Sequence, residues 1–298
     1  MQSLETATLT AEHRADCALL LAQRYDRQRA AEPLLPEIED FEAHVPNTGV
    51  VAIRGGRIVA YLAGEVHEGV ATVGFAGCAA IVPEAIRDCF AAAAAGWDVK
   101  RFSIAVPAFE HDLIDAWFRL AFGCQFVWAV RSAELVEPPD FGGTVRAGRP
   151  DDLDAVAAFD KILWDIQSLS PSFSGLEIPS LDEFRAEWSD LWSHPDVHSH
   201  FVAERDGRAV GHAMLYRRPT GDLRVPEANL DLSALTTLAE VRGTGVGTAL
   251  AAHALSHAYA SDCRSVTTDW RSVNLLASRF WPQRGYRPQY LRLYRAVP

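Results

Sequence analysis

No run of about 18 apolar residues occurs in the 298 residues, so no membrane-spanning helix is expected. The opening, MQSLETATLTAEHRAD, lacks the charged start and greasy centre of a secretion signal, which places the chain in the cytoplasm with no membrane partner. Cysteine is scarce. Cys17, Cys78, Cys89, Cys124 and Cys263 are scattered, odd in number and never in CxxC or Cys/His spacing, which argues against a disulfide framework and against zinc. They read as buried thiols. Basic runs are missing as well: at a net charge of −11 the chain has no clustered Lys and Arg to release counterions from nucleic acid, and no such partner is expected. The acidic balance leans toward cationic small molecules, and a role in solubility explains it equally well.

What is present is apolar material for a substantial core, 49% of the residues, and a length sufficient for two ordinary domains. The chain also repeats itself. VAIRGGRIVAYL (Val51 to Leu62) and VAERDGRAVGHA (Val202 to Ala213) are identical at half of their aligned positions. Each reads as a strand, a Gly corner and a second strand. WFRLAFG (Trp117 to Gly123) returns loosely as FWPQRGY (Phe280 to Tyr286), a helix end followed by Gly and a strand. Two related halves follow, divided near Phe141 where Pro138, Pro139, Gly142 and Gly143 punctuate the chain, giving domains of 1–140 and 141–298. At the start of the second half, Asp151 or Asp152 is placed to cap a helix.

The densest signal is VRGTGVGTALAAHAL, Val241 to Leu255. Before it, ANLDLSALTTLAE alternates apolar Leu230, Leu232 and Ala234 with polar Asn229, Asp231 and Ser233, until Leu235 breaks the alternation. A slip of a two-residue period suggests a β-bulge that splays the strand and frees backbone groups. After it, Val246, Leu250, Ala254, Leu255 and Ala258 fall at helical spacing. Strand, glycines, helix is the order of a phosphate cradle: residues without Cβ admit a ligand to the amides, and the helix start adds partial positive charge. Glycines that merely pack a helix start are the plain alternative. A P-loop would need a Lys that is missing, and GxGxG is not the GxGxxG of a dinucleotide fingerprint.

With Arg242, Gly245 and Gly247, the stretch resembles the (Gln/Arg)-x-x-Gly-x-(Gly/Ala) signature of the GNAT acyltransferase superfamily. Downstream, Asn274, Ala277, Trp281, Gly285 and Tyr286 resemble its N-x-x-A-x-x-x-(aromatic)-x-x-x-G-(aromatic) pattern. The resemblance covers roughly Val145 to Pro298. It implies an α/β fold of two tandem GNAT-like domains, each a twisted mixed sheet flanked by helices. It also implies acetyl-coenzyme A as acyl donor, a small-molecule primary amine as acceptor, and no metal. Leu235, Thr236, Thr237, Arg242, Gly243, Thr244, Gly245, Val246, Gly247, Thr248, Asn274 and Trp281 are the expected donor-binding residues. Tandem arrangements in bacterial members of the family are the nearest precedent, and a monomer or homodimer is expected.

The first half reads FAGCAAIVPEAIRDCFAAAA where the cradle should be, so it resembles a degenerate copy without a diphosphate site. Amine acylation needs a base and a proton donor for the leaving thiol. Asp231, on the polar strand face with Asn229 and Ser233, is the candidate base. The family commonly places Tyr where this chain has Trp281, and indole donates no proton near neutral pH, which passes the acid role to Tyr286, to Tyr290, or to water. A non-catalytic acyl-coenzyme A binding or sensing protein is the alternative reading. Trp164, Phe173, Trp188 and Trp192 fall where the family builds its acceptor site, and core packing explains them too. His194, His198 and His200 beside Pro195 read as solvated loop residues.

Overall fold

The computed structural model describes residues 3–297. The chain forms two compact units that are discontinuous in sequence: one takes the residues up to Ala129, the return Gly221–Arg224 and the chain from Pro288, and the other takes Val130–Thr220 and Val225–Arg287. The division therefore falls at 129/130 rather than near 140, and the last strand belongs to the first unit.

The first unit contains β1 (Leu4–Thr8), α1 (Arg14–Ala31), α2 (Phe41–His44), β2 (Gly49–Arg54), β3 (Arg57–Ala63), β4 (Glu65–His67), β5 (Val70–Val73), β6 (Cys78–Ala80), α3 (Ala85–Gly96), β7 (Arg101–Pro107), α4 (His111–Phe118) and most of β8 (Gly123–Ser132). Strands pair in the order β1-β2-β3-β6, and β4-β5-β7 continue as a second sheet, with β5 and β7 parallel. Alternation along β3 puts helices on both faces. Tyr61 and Ala63 join Leu21 and Tyr25 of α1 in one buried cluster, while Ala60 and Leu62 join Ile86 and Phe90 of α3 in another. Truncating Leu62 to Ala would cost about 2–5 kcal/mol.

The second unit contains β9 (Thr144–Ala147), α5 (Leu153–Ser168), α6 (Leu181–Trp192), β10 (His198–Arg205), β11 (Arg208–Tyr216), β12 (Asn229–Thr237), α7 (Val246–Ala260), β13 (Ser265–Arg271) and α8 (Leu275–Phe280). Its sheet runs β9-β10-β11-β12-β13, antiparallel throughout except for the parallel β12–β13 pair. Met214 and Ala234 face α5 and α6, with Val156, Phe184 and Trp188. On the other face, a Cβ at Gly211 would lie 3.0 Å from Leu250 of α7 and 3.1 Å from the Thr236 carbonyl, so the helix approaches as closely as glycine permits.

The repeated hairpins have the same corner. Gly55 and Gly56 take φ of 59° and 74°, and Asp206 and Gly207 take 52° and 71°. Both central residues of each turn are left-handed, the twist that suits a two-residue hairpin. β14 (Arg287–Ala296) then runs antiparallel to β7, from Tyr290 opposite Pro107 to Ala296 opposite Arg101. Asp152 does not cap α5: its carboxylate takes two guanidinium hydrogen bonds from Arg146, at 2.7 and 2.8 Å, and one from the Arg149 amide at 2.7 Å. Ser180 does cap α6, accepting from the Glu183 amide at 3.2 Å.

Among the described residues no helix is long and apolar enough to cross a membrane, and no cluster of His, Cys, Asp or Glu is placed to hold a metal. All five cysteines are free, and four are buried, Cys124 being the partly exposed one. Burial pushes the thiols of Cys17 and Cys89 up to about 12 and that of Cys78 up to about 11, so none of the three is a thiolate near neutral pH.

Candidate functional site

The site is built where β12 leaves β13. Their pairing covers only Asn229 opposite Ser265, Leu230 opposite Val266 and Asp231 opposite Thr267, yet β12 continues to Thr237 along β11 and β13 continues to Arg271. The register of β11 with β12 shifts between Met214 and Leu215, so the extra residue is Ser233. The bulge thus sits two residues before Leu235, because Ala234 pairs normally with Met214 and Ser233 alone has no opposite. Past it, the backbone of Ala234, Leu235, Thr236 and Thr237 is paired on the β11 side only.

The strand ends in the glycine turn. Gly243 and Gly245 have φ of 79° and 97°, conformations closed to branched side chains. Thr244 turns its amide and hydroxyl onto the Val241 carbonyl, at 3.3 and 2.8 Å. The first bond of α7 runs from the Ala249 amide to the Gly245 carbonyl at 2.9 Å, which leaves the amides of Val246, Gly247 and Thr248 ahead of it without an intrahelical acceptor. A Cβ on Gly243 would meet nothing within 4 Å, and one on Gly247 would press on the Phe280 ring at 3.3 Å. Open space at Gly243, orphan amides and a helix dipole together fit a diphosphate. Arg242 is exposed beside this turn, its backbone extended at φ −64° and ψ 142°.

Two further arginines reach the turn, neither marked in advance by a motif. Arg205 donates to the Thr244 hydroxyl at 3.1 Å and to the Phe141 carbonyl. Arg284 donates to the Thr248 hydroxyl and, at 2.8 Å, to the Phe280 carbonyl, with its guanidinium 3.5 Å over the Phe280 ring. Arg284 stands directly before the Gly285-Tyr286 end of the second motif, which is the signal that could have found it.

Asp231 is buried at 3% exposure and fully engaged. One oxygen accepts from Arg218 at 3.2 Å and from the Thr267 hydroxyl at 2.8 Å, and the other accepts from the Ser233 hydroxyl at 2.9 Å. Asn229 extends the chain, donating to Thr267 at 2.9 Å and accepting from Ser265 at 3.0 Å. Arg218 comes from the chain after β11, which no local pattern links to Asp231. Tyr286 is buried with its hydroxyl unpartnered, and burial, opposed by Arg131, raises its pKa well above the ordinary phenol value. Trp281 packs edge-on between Phe280 and Tyr286, at 4.9 and 5.1 Å between ring centres. Asn274 caps α8, its oxygen taking the amides of Leu276 and Ala277 at 3.1 and 3.2 Å. Tyr290 lies in the first unit, edge-on to Phe75 at 4.7 Å.

The corresponding opening of α3 is chemically different. The amides of Ala85, Ile86 and Arg87 are already bonded to Val82, Pro83 and Glu84 carbonyls, at 2.9, 3.1 and 3.1 Å. Glu84, the N-cap residue, adds a negative charge at this helix start, its carboxylate held by Arg87 and Arg119.

The histidines are also rearranged. His198 and His200 lie in β10, not in a loop. His200 is buried, stacked on Trp192 at 4.2 Å, with its Nδ1 3.4 Å from Nε2 of buried His212. Trp164 and Trp188 pack in the α5–α6 cluster, and Phe173 is 69% exposed.

Residues 161–286 match the profile of the Acetyltransferase (GNAT) family. Nearly the whole chain follows the fold of a GCN5-related N-acetyltransferase from Sphaerobacter thermophilus, with a TM-score of 0.57 at 12% identity over 98% of this chain and 95% of that one. An acetyltransferase of the GNAT family from Colwellia psychrerythraea is similar over 99% of this chain and 100% of that one, at TM-score 0.50 and 11% identity. A tandem GNAT protein from the clavulanic acid biosynthesis pathway covers 99% of each chain at 15% identity and TM-score 0.48. No curated protein matches in sequence.

Proposed function

We propose that this chain, whose residues 161–286 match the acetyltransferase (GNAT) family profile, is a member of that family and transfers an acetyl group from acetyl-coenzyme A to the primary amine of a small molecule. The observation that carries this reading is the parting of β12 from β13 after Asp231, which opens a one-sided strand edge that leads directly into the glycine turn and the orphan amides of α7. An extended, amide-bearing arm ending in a diphosphate needs both features in that order.

When bound, acetyl-coenzyme A supplies an acyl group already activated as a thioester. Gly243 to Thr248 would hold its diphosphate through backbone amides, with Arg242 adding charge, and the free edge of Leu235, Thr236 and Thr237 would pair with its arm. Asp231, hydrogen-bonded by Arg218, accepts the Ser233 hydroxyl at the bulge, so it receives the amine's proton by way of Ser233. Tyr286, kept protonated by burial and with an unused hydroxyl, is the donor for the departing sulfur. The first unit serves as structure, since Glu84 and the bonded amides of α3 disfavour a second diphosphate.

Calorimetric titration with acetyl-coenzyme A, followed by thiol release against a panel of amines, tests the reading. Absence of binding removes it. Binding without turnover on any amine would favour a non-catalytic acyl-coenzyme A binding protein, a reading supported by buried Trp281 standing where the family commonly supplies a tyrosine.

A further inference from the structure

Among the described residues no cation pairs with Asp160, a carboxylate between α5 and α6. It is half-buried and accepts a hydrogen bond from a neutral group, the Trp188 indole N–H at 3.1 Å. The neighbouring cation is occupied elsewhere: Lys161 holds Asp165 at 2.8 and 2.9 Å. Uncompensated charge in such a place is costly unless something pairs with it. The surroundings are aromatic. Trp164, one turn along α5, meets Phe184 edge-on at 6.0 Å, and Trp188 meets His212 edge-on at 5.0 Å. Ala157 and Trp164, on either side of Asp160 along the helix, belong to the same apolar cluster as Ala234, which directly follows the bulge residue of β12. The acid is thus carried by the helix turns that cover the strand on which the acyl-transfer reading places the chemistry.

We infer that Asp160, framed by Trp164 and Trp188, is the counter-ion for the acceptor, which is therefore a cationic amine with an apolar or aromatic body. The inference rests on the acyl-transfer reading and names the substrate class for it. A carboxylate set beside apolar ring surface is complementary to an ammonium group carried on an apolar body and repels an anion. Burial, opposed by the Trp188 hydrogen bond and reinforced by the Glu187 carboxylate, raises the Asp160 acid to about 6. Besides Glu187, α5 and α6 carry the Lys161–Asp165 pair, Arg185 held by Asp154 and Asp182, and Glu183 and Asp190, while His200 and His212, kept neutral by burial, lie behind Trp188. Asp160 is accordingly charged at pH 7.5 and discharged below about pH 6.

Phenethylamine, with phenethyl alcohol and phenylacetate as neutral and anionic counterparts, provides the test, each titrated calorimetrically into the full chain with coenzyme A present. At pH 7.5 the amine should bind roughly tenfold to hundredfold more tightly than the alcohol, and Asp160→Asn should erase that preference while leaving acetyl-coenzyme A affinity unchanged. Asp160→Glu, which keeps the charge, should retain part of it, and at pH 5 the wild type should lose it. Equal binding of the three probes, no binding of the amine, or a preference that survives in Asp160→Asn would overturn the inference. Loss of the preference in both variants would overturn it as well, since packing and not charge would then be responsible. Failure of acetyl-coenzyme A itself to bind would instead count against the acyl-transfer reading, and the two failures are separately visible.

Discussion

The Asp231 carboxylate accepts the Ser233 hydroxyl at 2.9 Å, linking the last β12 residue paired with β13 to the bulge where the strand has become free on that side. The contact crosses the place where the two strands separate. It gives the buried acid a route to the exposed end of the strand.

Asp231→Asn should therefore slow turnover by about a hundredfold, and Ser233→Ala by about tenfold, the range of a positioned proton acceptor and its relay. Acetyl-coenzyme A affinity, measured by calorimetry, should stay within about twofold in both. Turnover of Asp231→Asn equal to wild type at every pH would make the carboxylate an anchor for Arg218 and nothing more.

For Tyr286→Phe the change in stability and the change in rate should separate. The lost hydroxyl has no partner, so the melting temperature should hold steady or rise slightly. Turnover should fall about tenfold to hundredfold. Because burial raises the phenol above its ordinary value, the wild-type donor stays protonated as pH climbs, and the rate should show no phenolic decline up to about pH 10. A variant with full activity would hand the donor role to water.

The glycine turn makes a graded prediction. Gly245→Ala places a Cβ at φ 97°, costing about 1–2 kcal/mol in stability, and should abolish measurable acetyl-coenzyme A binding, since the strained residue must move the amides that follow it. Arg242→Ala, exposed and without folding role, should weaken binding roughly tenfold to hundredfold at unchanged melting temperature. Wild-type affinity in Gly245→Ala would mean that these glycines only pack the helix.

Stoichiometry checks the division of labour between the units. Titration should give one acetyl-coenzyme A per chain, and Glu84→Gln should leave that count at one, because the α3 amides remain bonded even when the charge is gone. A second binding event in the variant would show that the carboxylate alone closed the site.

Acid sensitivity should come from the histidine pair. Burial lowers His212 to about 3 and His200 to about 4, against an unfolded value near 6.5. Below about pH 6.5 the unfolded chain gains protons that the folded one refuses, so stability present above that pH is lost progressively down to about pH 3–4. Asp160, raised to about 6, acts in the opposite direction as its carboxylate is discharged between about pH 6 and 4. Melting temperatures of wild type and His212→Gln across this range separate the two. The variant should show a flatter decline, and an unchanged slope would remove the histidines from the account.

The features legible in advance are those decided within a few residues. Left-handed corners at Gly56 and Gly207 and the turn at Gly243 and Gly245 follow from what the lack of a Cβ allows locally, so their residues announce them. The pairing of distant segments has no such local cause. The pairing of β14 with β7, the placing of the bulge at Ser233 and not at Leu235, the capture of Asp231 by Arg218 and Thr267, and the burial of His200 against His212 each depend on which strand lies alongside. The side-chain alternation of a strand says which residues share a face, but hydrogen bonds across a sheet are made by whichever chain arrives. For this protein the sequence by itself determined the glycine turn and the repeated hairpins. Tertiary structure alone decided the partners of the buried charges, because a carboxylate's nearest donor in space need not be near in sequence.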